Sequence, residues 1–157
     1  MDTKTKITIF IIEDNDVFAL ALKSEIETVF ANMQLSVHSF TTGELSMEKF
    51  NEEKPQIVIL DYHLNSKDWN ALDGIKVLDW IINKNKETLV VMLTRDDHVD
   101  IAIKSFHHGA SDYVVKNHTQ FKKINFSLLN FFKIIQAKNN SEKYLSKLKE
   151  YRENSKN

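Results

Sequence analysis

The chain has 157 residues, of which 42% are hydrophobic and 27% are charged, and its formal net charge is −1 at pH 7. This length suits one domain with a short extension, and the balanced charge gives no general basic surface for nucleic acid. Because the chain contains no cysteine, disulfides, thiolate zinc sites and cysteine nucleophiles are excluded. Its first apolar run is too short for a signal peptide, and no segment approaches the roughly 20 apolar residues of a membrane span. We therefore expect a cytoplasmic protein without a membrane segment.

Five short apolar segments, rich in β-branched residues, are predicted to form strands. They are 7–12, 35–40, 57–60, 89–93 and 113–115. Each is followed by a longer segment of helical periodicity. This alternation predicts an α/β fold in which a parallel sheet carries helices on both faces, joined by right-handed crossovers. The second strand alternates apolar and polar residues and is expected at an edge, whereas three of the others lack that alternation and are expected in the centre.

The predicted helices are defined by apolar residues at helical spacing. The four clearest stripes are Phe18, Leu22, Ile26 and Val29; Ile75, Leu78, Ile81 and Ile82; Val99, Ala102, Ile103 and Phe106; and Phe121, Ile124, Leu128, Phe131, Phe132 and Ile135. The pattern around 44–53 is the weakest. After residue 138 the chain becomes polar and charged, which predicts one domain over 1–138 and a helical tail or linker over 139–157.

Polar side chains stand where the predicted strands end. Glu13 and Asp14 follow the first strand, Asp61 the third, Thr94 the fourth and Lys116 the fifth. Taken singly, each is explained as well by a helix cap, a turn residue or a solvated cation. Capping does not require all of them to fall at the same end of different strands, however. Since functional groups of an open parallel sheet gather beyond the carboxyl ends of its strands, we expect these side chains to meet at one edge.

Such a cluster has a recognisable chemistry. Carboxylates repel one another unless they share a cation, and hard oxygen ligands suit Mg²⁺ or Mn²⁺. A carboxylate beside that metal can attack a phosphoryl group as a nucleophile and form an aspartyl phosphate. The metal, an ammonium group and a hydroxyl would then balance the charge on the phosphoryl oxygens.

These five residues, together with the stretch "GASDYVVK" around Tyr113, resemble the receiver domain of two-component response regulators. The resemblance covers roughly residues 6 to 138. It implies a flavodoxin-like fold, a doubly wound five-stranded parallel sheet flanked by five helices. It also implies a phosphorelay signalling domain and not an enzyme, with only self-catalysed phosphoryl transfer and dephosphorylation.

The resemblance implies a role for each acid. Asp61 would accept a phosphoryl group from a phosphohistidine on a histidine kinase or a histidine phosphotransfer protein. Asp14 and Asp61 would ligate Mg²⁺ or Mn²⁺, with the backbone carbonyl of His63 as a further ligand. Glu13 would assist through a water molecule.

The remaining positions are implied to read out the phosphorylated state. Lys116 would pair with the acids and then with the phosphoryl group, to which Thr94 would donate a hydrogen bond. Tyr113 would turn inward as Thr94 moves. This movement would reshape the surface formed by the fourth helix, the fifth strand and the fifth helix, through which the domain would bind partner proteins.

The sequence departs from the family pattern in three places. Asn117 follows Lys116 where the family usually has a proline joined by a cis peptide, so the placement of the lysine depends on this bond. Arg95 follows Thr94 where a small residue is common. We expect it to lie over the phosphoryl site and to pair either with the phosphoryl group or with Asp96 and Asp97. The loop from Asp61 to Gly74 is also longer than usual, and its Trp69 is either a packed lid or an exposed contact.

Three other functions are compatible with parts of the pattern. A haloacid-dehalogenase-type phosphatase also forms an aspartyl phosphate, but it carries a second acid where this chain has His63. A flavin- or nucleotide-binding relative would have phosphate-binding loops rich in glycine, and this chain has three glycines and no G-x-G-x-x-G. A phosphorylation-silent interaction module on the receiver fold is the more serious alternative, because of Arg95 and Asn117.

The last helix suggests a partner. Phe126, Leu129 and Ile134 lie off its main stripe, and a helix that is apolar on several sides is normally covered on more than one of them. We therefore expect contact with a second copy of the chain or with the tail, so that a homodimer would form through this helix or through the partner-binding surface described above. Nothing after residue 138 resembles a helix-turn-helix, so we expect no direct nucleic acid binding by this chain.

Overall fold

The computed structural model describes residues 5–156. Its elements, in chain order, are β1 (Ile7–Ile12), α1 (Asp16–Val29), β2 (Leu35–Phe40), α2 (Gly43–Glu53), β3 (Ile57–Asp61), α3 (Gly74–Lys84), β4 (Leu89–Thr94), α4 (Val99–His107), β5 (Asp112–Val115) and α5 (Gln120–Asn154). Every predicted strand and helix is present, with strand bounds that differ from the predicted ones by no more than one residue. The weakly patterned helix at 44–53 is α2.

The five strands form one parallel sheet in the order β2-β1-β3-β4-β5. The predicted flavodoxin-like fold is confirmed. The alternating strand β2 lies at one edge, as expected, and β5 lies at the other. Because β1 and β3 are adjacent central strands, the residues at their carboxyl ends are brought side by side.

The central strands are buried on both faces. In β1, Phe10 and Ile12 belong to an apolar cluster with Phe50 of α2 and with the apolar side of α3. Ile9 and Ile11 point to the opposite face, because side chains alternate along a strand, and they are also fully buried. Each such side chain contributes roughly 1.5–3 kcal/mol relative to full exposure. The sheet is therefore a rigid support for whatever stands at its ends.

Side-chain caps fix the start of the helices at the same edge of the sheet. The Asn15 side-chain carbonyl accepts the Phe18 N–H at 3.0 Å, and the Asp73 carboxylate accepts the Lys76 N–H at 2.9 Å. Because Asn15 caps α1, the carboxylate of the preceding Asp14 is not needed for capping. The plainer explanation of that acid is thereby weakened.

The apolar stripe of α4 lies at the surface. Val99, Ile103 and Phe106 are 73%, 50% and 49% exposed, whereas an apolar helix face normally covers the core. The fully buried residue of this helix is Ser105, whose hydroxyl donates to the Ile101 carbonyl at 2.8 Å and is therefore satisfied inside the protein. A small polar residue thus occupies the core side, and the larger apolar side chains face outward.

The chain divides into two compact units, and the division falls inside α5, between Asn125 and Phe126. In the first unit, the Phe121 ring contacts the Phe18 ring of α1 with centroids 5.8 Å apart, and the Asn125 amide donates to Glu25 at 3.1 Å.

In the second unit, which is the remainder of α5 and a short end, the helix continues through the predicted tail to Asn154. Large apolar side chains stay exposed along it, among them Phe126, Leu129 and Ile134. The domain boundary at residue 138 stays a prediction. Among residues 5–156, no helix is both long and apolar enough to cross a bilayer.

Candidate functional site

Three acids meet at the carboxyl edge of the sheet. Glu13 and Asp14 follow β1, and Asp61 is the last residue of the neighbouring β3. A carboxylate oxygen from each lies within 4.8 Å of the other two, and all three residues are buried. Buried carboxylates this close together are costly unless cations or protons offset their charge.

One of those cations is Lys116, which follows β5. Its Nζ lies 2.6 Å from Glu13 Oε2 and 3.4 Å from Asp61 Oδ1, and it stands 4.7 Å from the centre of the Phe18 ring. The backbone N–H of Lys116 donates to the backbone carbonyl of Thr94 at 2.7 Å, and this hydrogen bond holds the start of the loop against β4. The peptide bond from Lys116 to Asn117 is trans, and the lysine reaches the acids without a cis bond.

The charge of the cluster is only partly balanced at neutral pH. The pKa of Glu13 is raised from 4.5 to about 7, chiefly by burial of its carboxyl group and secondly by the nearby Asp61 carboxylate. The hydrogen bond and charge of Lys116 oppose this rise, as does the Asn15 N–H, which donates to Glu13 at 3.1 Å. A second cation at the cluster would favour the ionised form of Glu13.

The two carboxylate oxygens of Asp61 differ in their hydrogen bonding. Oδ1 accepts the His63 N–H at 3.1 Å and faces Lys116, whereas Oδ2 is buried and has no hydrogen-bond partner within residues 5–156. An unsatisfied buried carboxylate oxygen is costly, so a cation or a hydrogen-bond donor at this atom would stabilise the site. The donor set is made entirely of hard oxygens in one small volume, so these residues fit Mg²⁺ or Mn²⁺.

Asp14 is held by the long loop after β3. Its Oδ2 accepts the Ser66 hydroxyl at 2.6 Å, and its backbone carbonyl accepts Lys67 Nζ at 2.8 Å. Neither loop residue was predicted from the sequence to lie at the site. The signal that pointed to them was the unusual length of the segment from Asp61 to Gly74, which gave no indication of which side chains would turn inward.

Thr94 and Tyr113 are linked through the turn after β4. Thr94 is fully buried and its hydroxyl oxygen accepts the Asp96 N–H at 3.1 Å, while the Tyr113 hydroxyl donates to the Asp96 carbonyl at 2.7 Å. Burial raises the pKa of Tyr113 above its ordinary value of 10.0. A hydrogen bond with Thr94 opposes that rise, and the carboxylates of Asp97 and Asp96 add to it. A movement of the Thr94 side chain would therefore alter the surroundings of the Tyr113 hydroxyl.

His63 and Arg95 line the mouth of the site. The His63 ring Nε2 lies 3.0 Å from Asp96 Oδ2, and its backbone carbonyl accepts the Ser66 N–H at 3.4 Å. A cavity of about 260 Å³ is lined by His63, Ser66, Arg95 and Asp96. Arg95 lines this cavity, and Asp96, one of the two acids considered as its partners, pairs with His63.

Two further positions are resolved by the structure. The Asn117 side-chain carbonyl accepts both the N–H and the hydroxyl of Thr119, at 3.0 and 2.8 Å, so this side chain organises the turn before α5. Trp69 is 82% exposed, which supports the expectation of an exposed contact and contradicts that of a packed lid.

A parallel sheet of this order with buried acids and a lysine at its carboxyl edge defines a flavodoxin-like α/β domain of the receiver type. Residues 9–125 match the family model of the response regulator receiver domain, and the chain belongs to this family of signalling domains.

Among curated proteins, the chain is similar to the regulatory protein AtoC of Escherichia coli (strain K12), with 27% identity over 69% of this chain and 22% of AtoC. It is also similar to the transcriptional regulatory protein AfsQ1 of Streptomyces coelicolor, with 26% identity over 69% of this chain and 44% of that protein. The chain therefore spans less than half of the length of either relative.

Among solved structures, it is similar to the response regulator domain of Thermotoga maritima CheB. That match has a TM-score of 0.65 and 27% identity over 86% of this chain and 98% of the other.

Proposed function

We propose that this chain is a metal-dependent phosphoacceptor that receives a phosphoryl group on Asp61 from the phosphohistidine of a histidine kinase or a histidine phosphotransfer protein. The observation that supports this most is the open Oδ2 of Asp61, buried among two other acids and a lysine at the end of a rigid central strand. A structural acid would have its oxygens satisfied by the protein.

The residues present can carry the transfer. A carboxylate oxygen of Asp61 forms a bond to phosphorus as the phosphorus–nitrogen bond to the donor histidine breaks, and the electron pair of that bond stays on the imidazole. Asp14, Asp61 and the His63 backbone carbonyl would hold Mg²⁺ or Mn²⁺, with Glu13 assisting through a water molecule, and the metal would neutralise charge on the phosphoryl oxygens. The Lys116 ammonium, 3.4 Å from Asp61 Oδ1, supplies a second positive charge.

The switch would run through Thr94. Its hydroxyl oxygen already accepts the Asp96 N–H, so its own hydrogen can be donated to a phosphoryl oxygen. That donation would change the interaction of Thr94 with Tyr113, whose pKa Thr94 lowers. Because Tyr113 also holds the Asp96 carbonyl, the change would pass to the turn before α4.

The output would be a change in the surface formed by α4, β5 and α5. On this surface α4 presents exposed Val99, Ile103 and Phe106, and exposed apolar side chains grouped on one face are typical of protein contacts. We further propose a homodimer, formed through this surface or through α5. A cytoplasmic location and the absence of direct nucleic acid binding remain predictions.

A direct test is to incubate the full chain with Mg²⁺ and a small acyl phosphate and to measure its intact mass. We expect one added phosphoryl group in the wild type. No phosphoryl group should be added when the metal is chelated beforehand, and none in Asp61→Asn. Asp68→Asn, which removes an exposed acid of the same loop, is the matched control and should react like the wild type.

A phosphorylation-silent interaction module is the alternative function. It is favoured by one observation, the engagement of Asp14 by the chain's own Ser66 and Lys67. The same experiment separates the two, because a silent module would gain no phosphoryl group at any metal concentration.

A further inference from the structure

The loop between β3 and α3 adds contacts to the acid cluster beyond those made by the residues at the strand ends. Two consecutive residues, Ser66 and Lys67, contact the carboxylate and the backbone carbonyl of the same acid, Asp14, at 2.6 and 2.8 Å. The loop also contacts the turn after β4, where the His63 ring lies 3.0 Å from the Asp96 carboxylate. It therefore connects two turns across the mouth of the site.

Lys67 differs from the other lysine at the cluster in a way that matters for metal binding. Lys116 is enclosed, with a side chain 12% exposed, and it is paired with two buried acids. Lys67 lies on an exposed part of the loop and donates to a backbone carbonyl. A lysine ammonium is a compact, strongly hydrated charge on a flexible stem, so moving Lys67 from this position into water costs little.

We propose that Lys67 acts as a built-in counter-cation that competes with a divalent metal ion at the acid cluster, so that metal binding is coupled to release of the Lys67 ammonium from the Asp14 backbone carbonyl. This inference rests on the metal-dependent function proposed above. An ammonium held on the residue that ligates a dication repels it, and this repulsion is screened less at a partly buried hydrogen bond than on the open surface. The neutral Ser66 hydroxyl has no such conflict, since it can donate to a carboxylate that is also a metal ligand.

The chain contains its own reporter of the loop. Trp69 lies two residues after Lys67 and is 82% exposed, while the other tryptophan, Trp80, packs edge-on against Phe50 in the core. Release of Lys67 should change the surroundings of Trp69. A fluorescence change on adding Mg²⁺, absent in Trp69→Phe, would therefore report the loop directly and without any phosphoryl transfer.

The test is a Mg²⁺ titration of the full chain by calorimetry and by tryptophan fluorescence. We expect Lys67→Met to bind Mg²⁺ roughly three- to tenfold more tightly than the wild type, because the competing charge is gone. Lys67→Arg keeps the charge and should keep the wild-type affinity. The matched control is Lys86→Met, which removes the same charge between α3 and β4 at the opposite edge of the sheet and should leave the affinity unchanged. The fluorescence change of Trp69 should be smaller in Lys67→Met, whose loop is no longer held by the ammonium.

The outcomes separate this inference from the proposed function. If the wild type binds Mg²⁺ and Lys67→Met binds it within twofold of the same affinity, the competition is overturned while the metal site stands. An equal gain in Lys67→Met and Lys86→Met would also overturn it, because the effect would then be one of general charge. Absence of Mg²⁺ binding in both the wild type and Lys67→Met would overturn the metal site and the competition together.

Discussion

Glu13 shows how a single residue reports the charge balance of the site. It is fully buried, beside Asp61 and 2.6 Å from Lys116, and its pKa is raised from 4.5 to about 7. The folded, metal-free protein therefore holds a proton on Glu13 in a pH range where the unfolded chain has lost it. The stability that comes from this protonated Glu13 is complete below about pH 4.5 and is lost as the pH rises to about 7.

Glu13→Gln should remove this pH dependence, because the amide stays neutral. Without metal, we expect the variant to become more stable than the wild type by about 1–3 kcal/mol above pH 7, with the difference shrinking towards pH 4.5. Urea unfolding at several pH values measures it. Glu27→Gln, which changes an exposed acid of α1, should follow the wild type throughout. A constant difference between Glu13→Gln and the wild type at all pH values would contradict the raised pKa.

Arg95 lies at the mouth of the site, where it lines the small cavity with His63 and Ser66. We expect it to limit the access of water to the phosphorylated Asp61. Arg95→Ala should then shorten the phosphoryl lifetime several-fold, measured as the loss of the added mass after the donor is removed. Lys86→Ala is the surface control and should keep the wild-type lifetime. An unchanged lifetime in Arg95→Ala would show that Arg95 does not limit the access of water.

Among the secondary-structure elements, the start of α3 packs against the end of β3 at Gly74. Its N–H donates to the Tyr62 carbonyl at 3.1 Å, and a Cβ added here would fall on the backbone of Asp61 and Tyr62. The two ends of the long loop thus meet at the backbone of Asp61 and Tyr62. A side chain at this glycine must displace the strand end itself.

Gly74→Ala should therefore lower the free energy of unfolding by about 1–3 kcal/mol and also slow phosphorylation. Gly43→Ala is a useful control, because its added methyl would meet the Val77 side chain in the core and not the backbone of the site. We expect both variants to lose stability in urea unfolding and only Gly74→Ala to lose phosphorylation rate. Equal rates in the two variants would show that the position of Asp61 does not depend on this contact.

The elements and the site edge could be predicted from the sequence because they follow from short-range patterns. Apolar runs define the strands, and parallel topology then brings their ends together whatever the loops do. The contacts of Ser66 and Lys67 with Asp14 could not be predicted, since a long loop has no periodicity to fix its side chains. The exposure of Phe106 was also hidden, because periodicity reveals an apolar face without saying what covers it.

At the scale of the whole molecule, the second unit carries the clearest sign of a partner. Beyond residue 138 its side chains are almost all exposed, and they include Leu145 and Leu148 at 56% and 37%. An isolated helical segment of this length is only marginally stable in water, and burial of an apolar side by a second copy would stabilise it.

We therefore expect the full chain to dimerise at high concentration. The double variant Leu145→Glu with Leu148→Glu should shift it towards monomer in sedimentation experiments. Lys147→Glu changes the net charge by the same −2 without touching the two leucines and should leave the association intact. A wild type that stays monomeric at high concentration, both with and without phosphorylation, would contradict a dimer.

If Asp61 is the phosphoacceptor, the phosphoryl group can be located on the chain. The full protein would be treated with Mg²⁺ and an acyl phosphate, reduced with borohydride to convert an acyl phosphate of aspartate to homoserine, and mapped by peptide mass spectrometry. We predict homoserine at position 61 alone, and none when a chelator is present during the treatment. Homoserine at another aspartate, or at none, would contradict this prediction.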